Sequence, residues 1–142
     1  MGSVGNGNAP QMVARQDISK LSKEQSRVME DAYRQIEWAR RLDLHDWAMR
    51  EKFNVINPEE SIIVQRYDNY GYPSEQYAIN RLRQDAKEYA ERFKDYYEER
   101  KQGIALMRAS SSTLRALEKK GFIEIIEDGG RWIDRVKIIE RS

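Results

Sequence analysis

The chain has 142 residues, 39% of them hydrophobic and 35% charged. A typical soluble domain is about 45–50% apolar with about 25% charged residues. Charge in excess at helical spacing points to long, half-exposed helices, and the length suits one domain or one small domain with a helical extension. No cysteine and one histidine, His45, are present, which excludes disulfides, thiol catalysis, Cys-ligated metals and multi-His metal sites.

The net charge of +1 hides an asymmetry. From Arg100 to Ser142 ten Lys/Arg face six Asp/Glu, a net +4; the rest of the chain holds fifteen against eighteen, a net −3. An acidic partner is therefore expected at the C-terminal third. No stretch approaches 18 apolar residues, so no membrane span is expected. Met1–Gln16 is Gly/Asn-rich without an apolar core, unlike a secretory signal, and Asn6 breaks the myristoylation pattern. A disordered tail over residues 1–16 and a cytoplasmic location are the expectations.

In chain order, Ser22 with Gln25 three residues on is a capping box. Val28, Met29, Ala32, Ile36, Ala39 and Leu42 follow at helical spacing, predicting a helix over 23–42. Leu44–Phe53 continues it or forms a second short helix. Asn57-Pro58-Glu59-Glu60 signals a short helix from Pro58 to Arg66. Tyr67–Pro73 reads as a turn. Its Tyr67, Tyr70 and Tyr72, with Tyr77, could stack on single-stranded bases, although packing of the turn explains them better, since only Arg66 interleaves.

Ser74 caps a long helix to about Gln102. Along it Ile79, Leu82, Ala86, Tyr89, Phe93 and Tyr96 recur with spacings 3, 4, 3, 4, 3. Such a seam expects a helical partner, either the 23–42 helix or a second copy of the chain through Ile79, Leu82, Ala86, Tyr89 and Phe93. Gly103 ends that helix. Ile104–Met107 is a short apolar run, and Ser110–Ser112 cap a helix from Thr113 to Lys120. Leu114 and Leu117 face inward and Gly121 fits the position just past the end. Phe122–Glu127 and Arg131–Glu140 read as strands joined at Asp128-Gly129-Gly130. The fold class expected is mainly α with a small C-terminal β-hairpin: a tail (1–16), a helical region (17–102) and a compact C-terminal unit (103–142).

The text Ser112-Thr113-Leu114-Arg115-Ala116-Leu117-Glu118-Lys119-Lys120-Gly121-Phe122-Ile123 resembles the end of a winged helix–turn–helix domain. The resemblance covers residues 103–141 and implies a compact helical–wing fold that usually binds nucleic acid. Ser110–Ser112 leave little room for a separate middle helix, so the long helix would supply the first helix of the unit.

The residues themselves point the same way. Ser112, Arg115 and Lys119 share the face of their helix opposite Leu114 and Leu117. A helix start bearing Ser111, Ser112 and Thr113 suits phosphate contacts, and an Arg can read guanine bidentately. Arg108 precedes that helix, and Arg131 with Trp132 stands at the hairpin tip. These eight residues are the candidate nucleic-acid interface. His45-Asp46 lacks the further histidines a metal dyad needs, and Glu59-Glu60 are first-turn acids that offset the helix dipole. No phosphate-binding loop, dinucleotide motif or nucleophile beside a base occurs. No enzymatic activity, metal or cofactor is expected. The function expected is a small DNA-binding protein of regulatory or accessory type with double-stranded DNA as partner. The alternative is an adaptor that docks proteins through the same unit. The position of Glu118, Glu124 and Asp134 discriminates, because carboxylates among the cations would favour the adaptor.

Overall fold

The computed structural model describes residues 12–53, 74–129 and 132–141. It is mainly helical with a small C-terminal antiparallel sheet. The elements are α1 (Lys23–Arg41), α2 (Leu44–Phe53), α3 (Glu75–Arg92), α4 (Lys94–Lys101), β1 (Ile104–Leu106), α5 (Ser111–Lys119), β2 (Ile123–Gly129) and β3 (Trp132–Ile138). The helix expected from Pro58 and the Tyr67–Tyr72 turn lie outside the described residues.

The described residues up to Arg41 and from Glu98 onward form one compact unit, and Leu42–Tyr97 form a second. The expected division is a helical region over 17–102 and a unit over 103–142 that shares the end of the long helix. α1 belongs with the sheet and α5, against which it packs. Of the long helix, only its end from Glu98 contributes to this unit.

The start of α1 follows from its sequence. The Gln25 backbone N–H donates to Ser22 Oγ (3.1 Å) and the Ser22 N–H to Gln25 Oε1 (3.2 Å), a reciprocal cap. The apolar stripe of α1 buries Val28, Met29, Ala32, Tyr33, Ile36 and Ala39. Val28, Met29, Ala32, Tyr33 and Ile36 join Ala105, Leu114, Leu117, Ile123, Val136 and Ile138 in a single core. β3 is the central strand, with β1 on one side and β2 on the other. Val136 stands opposite Ala105 of β1 and Ile125 of β2, which sets the register of the inward face. Beyond Ile125 the β2 ladder is irregular around Glu127.

β1 is an edge strand of three residues, and Gln35 of α1 finishes it. The Gln35 Nε2 donates to the Leu106 carbonyl (2.8 Å), and the Leu106 N–H donates to Gln35 Oε1 (3.0 Å). An edge whose backbone groups are already paired offers no template for another strand.

Residues 12–16 are not the tail expected from composition. Val13 is buried in the core. The Arg141 N–H donates to the Ala14 carbonyl (2.8 Å), and Gln16 Nε2 donates to the carbonyls of Gly121 (3.0 Å) and Ile139 (2.6 Å). Arg15 bonds Glu37 (2.6 Å) and Glu30 (3.0 Å) on α1 while covering the Tyr33 ring. Its guanidinium pKa is raised, chiefly by the hydrogen bond to Glu37.

In the second unit Asp43 starts α2: its carboxylate accepts the Asp46 N–H at 2.8 Å. Burial, with Asp43 alongside, raises the Asp46 carboxyl pKa. Ser74 caps α3 by accepting the Tyr77 N–H (3.1 Å). α2 packs along α3. Leu82 and Ala86 are fully buried and Ala90 nearly so. Among the described residues of this unit the seam packs on α2. Ile79, Tyr89 and Phe93 are half-buried, and Tyr96 is exposed. The expected continuous helix breaks at Phe93 (φ −114°, ψ 22°), whose ring lies 4.5 Å from that of Tyr89 and stacks on Tyr96.

Candidate nucleic-acid interface

α5 is set by its two ends. Ser110 is its N-cap, with Oγ accepting the Thr113 N–H (3.2 Å). The same Oγ lies 2.8 Å from Thr113 Oγ1 and 3.2 Å from Ser112 Oγ, so three hydroxyls cluster at the helix start. At the other end Gly121 has φ +85°, the left-handed turn that a residue without Cβ adopts most readily. Its N–H closes on the Glu118 carbonyl, and the Phe122 N–H on that of Leu117 (3.0 Å each).

Between these ends α5 divides cleanly. Leu114 and Leu117 are fully buried against Ile123 and Val136. Ser112, Arg115 and Lys119 are exposed, with Ala116 half-buried. Glu118 is the one acidic residue of α5; it is exposed as well, and its Oε2 accepts the Ile125 N–H of β2 at 2.8 Å. The bond draws this carboxylate to the β2 flank of the helix. On the opposite flank Lys120 Nζ donates to Gln25 Oε1 of α1 (2.9 Å), so this cation is spent on tying α5 to α1.

Of the other expected residues, Arg108 is exposed on the link into α5, and Ser111 and Thr113 are half-buried in its first turn. Arg131 lies outside the described residues. Trp132 is described only by its backbone, which pairs with Gly129. Asp134, like Trp132, is described by its backbone, within β3. Glu124 is exposed on β2, opposite Lys137 in the β2–β3 register.

The sequence reading missed the contribution of α1. Arg27, Glu30, Asp31, Arg34 and Gln35 line a groove of about 390 Å³ with Leu106 and Arg108. Arg108 thus belongs at once to this groove and to the approach to α5. The signal was present: Arg27, Asp31 and Arg34 are spaced 4 and 3, on the side of α1 away from its apolar stripe.

No group of His, Asp and Glu suited to a metal ion occurs among the described residues, nor does any helix long and apolar enough to cross a membrane. His45 is exposed in the first turn of α2. Comparison with protein-family models, curated proteins and solved structures finds no match for this chain.

Proposed function

We propose that this protein binds double-stranded DNA through α5, with Arg115 and Lys119 as the contacting cations and the hydroxyl-bearing first turn against phosphate. The observation that carries the reading is the division of α5. One face is committed to the core, and the other presents Ser112, Arg115 and Lys119 with its single carboxylate diverted to β2. A carboxylate on the cationic face would repel phosphate; this one is turned aside by a hydrogen bond. An α-helix fits the major groove, where an Arg can bond guanine O6 and N7 together. Backbone N–H groups and hydroxyls at a helix start suit a phosphate oxygen. The resemblance of residues 103–141 to a winged helix–turn–helix domain supports the same reading by analogy of fold. A regulatory or accessory role in the cytoplasm follows as the working assignment.

Fluorescence anisotropy of a labelled duplex at two salt concentrations tests it. Binding that weakens steeply with salt is expected, because phosphate contacts release counterions. Absence of salt-dependent binding to any duplex would refute the reading and favour docking of a protein on the same unit.

A further inference from the structure

The groove on α1 carries cations whose role in the fold is unaccounted for. Its acids are engaged: Glu30 pairs with Arg15 (3.0 Å), and Asp31 accepts from Gln35 Nε2 (3.1 Å). Arg27 pairs with Glu24. Gln35 is committed to both backbone groups of Leu106. Arg34 and Arg108 remain. Both are exposed, neither side chain belongs to an ion pair or hydrogen bond of the described residues, and both line the same groove. Arg34 lies on α1 and Arg108 on the link that leads within two residues to the Ser110 cap of α5.

We infer that Arg34 and Arg108 together clamp one phosphodiester of the DNA backbone beside the stretch contacted by α5. The inference rests on the α5 reading and extends the interface onto a second helix. Two guanidinium forks approaching one groove from two elements match the shape of a phosphate, whose oxygens accept paired N–H bonds. The contact carries no base information, so its work is to set the orientation of α5 on the duplex. Asp31, in the same groove, opposes the phosphate and limits the affinity.

The test uses the full chain and labelled duplexes of several sequences across a salt series. Arg34→Ala should weaken binding about eightfold at 0.1 M salt and lower the salt slope by about 0.9, the share of one phosphate. The loss should be equal for every duplex sequence. Arg34→Lys should restore most of the slope. If one phosphate is shared, Arg34→Ala with Arg108→Ala should lower the slope by about one in total rather than two. Asp31→Asn, which keeps an acceptor for Gln35, should strengthen binding. Lys87→Ala, an exposed cation of the second unit, should change nothing. Melting curves of the Arg34, Arg108 and Lys87 variants should overlay, since these three sites are exposed.

If wild-type protein binds and Arg34→Ala binds equally well, the clamp is refuted and the α5 reading stands. A slope lowered by two in the double variant refutes the shared phosphate. Wild-type protein without salt-dependent binding refutes clamp and α5 reading together.

Discussion

Leu117→Ala measures whether α5 is held by the core as its division requires. Leu117 is fully buried and shares a cluster with Leu114, Ile123, Val136 and Met107. The substitution removes three carbons, a transfer loss of about 2.4 kcal/mol at about 0.8 kcal/mol for each buried methylene. The cavity left behind adds a further cost of about 24 cal/mol per Å³ that the surroundings fail to fill. Here relaxation is restricted. α5 is pinned by the Ser110 cap, by Gly121 and by the Lys120–Gln25 bond, so it cannot simply sink into the gap. The expected loss is about 3–4 kcal/mol, within the range of about 2–5 kcal/mol for buried Leu→Ala changes. Urea titration followed by circular dichroism reads it, and the thermal midpoint should fall by on the order of 10 °C. Lys119→Ala, two residues away on the exposed face, should stay within about 0.5 kcal/mol of wild type. A loss under about 0.5 kcal/mol for Leu117→Ala would refute the assignment of the buried face, and the cationic face would fall with it.

Two further perturbations address other parts of the first unit. Gly121→Ala should cost about 1–2 kcal/mol by urea titration, the strain of a left-handed L-residue, because the added Cβ meets nothing within 4 Å; a neutral result would mean the turn relaxes to negative φ. Glu140 accepts from Arg40 (2.9 Å) and from the Ala14 N–H (3.1 Å), and the Arg40 bond holds its carboxyl below the ordinary value of 4.5. A carboxylate with a lowered pKa stabilises the fold above its unfolded pKa, and that stability is lost as pH falls through the lowered value. Glu140→Gln should therefore cost about 0.5–1 kcal/mol at neutral pH, kept small by solvent screening, and nothing at a pH below the lowered value; an equal cost at both pH values would refute the electrostatic origin.

What the sequence discloses follows from the range of each signal. The Ser22–Gln25 box, the Ser74 cap and the Gly121 turn are local, and each stands where its residues place it. Leu114, Leu117, Ile123 and Val136 could be picked out as one core because a two-turn helix and its following hairpin are close in sequence. The break at Phe93 is invisible because neither Gly nor Pro marks it, and the heptad spacing runs straight through. The packing of the seam on α2 is not legible for a related reason: α2 is short, and its apolar residues carry a weak period. The anchoring of residues 12–16 rests on a single apolar residue, Val13, on the Arg15 ion pairs to α1, and on bonds of Ala14 and the Gln16 side chain to residues over a hundred positions away. Composition alone reads such a segment as tail. The groove joins Arg34 to Arg108 across 74 positions through the pairing of Gln35 with Leu106, a contact with no sequence period. Local caps and periods are legible; sites assembled from distant elements are not.

The proposed function places duplex DNA on the outward face of α5. Its most direct test is the salt dependence of duplex binding for wild type and for Arg115→Ala with Lys119→Ala. Much weaker binding by the double variant is expected, with a salt slope flatter by about one for the lost Lys119 contact and reduced preference among duplex sequences. Binding by the double variant equal to wild type, in slope and in preference, would contradict it.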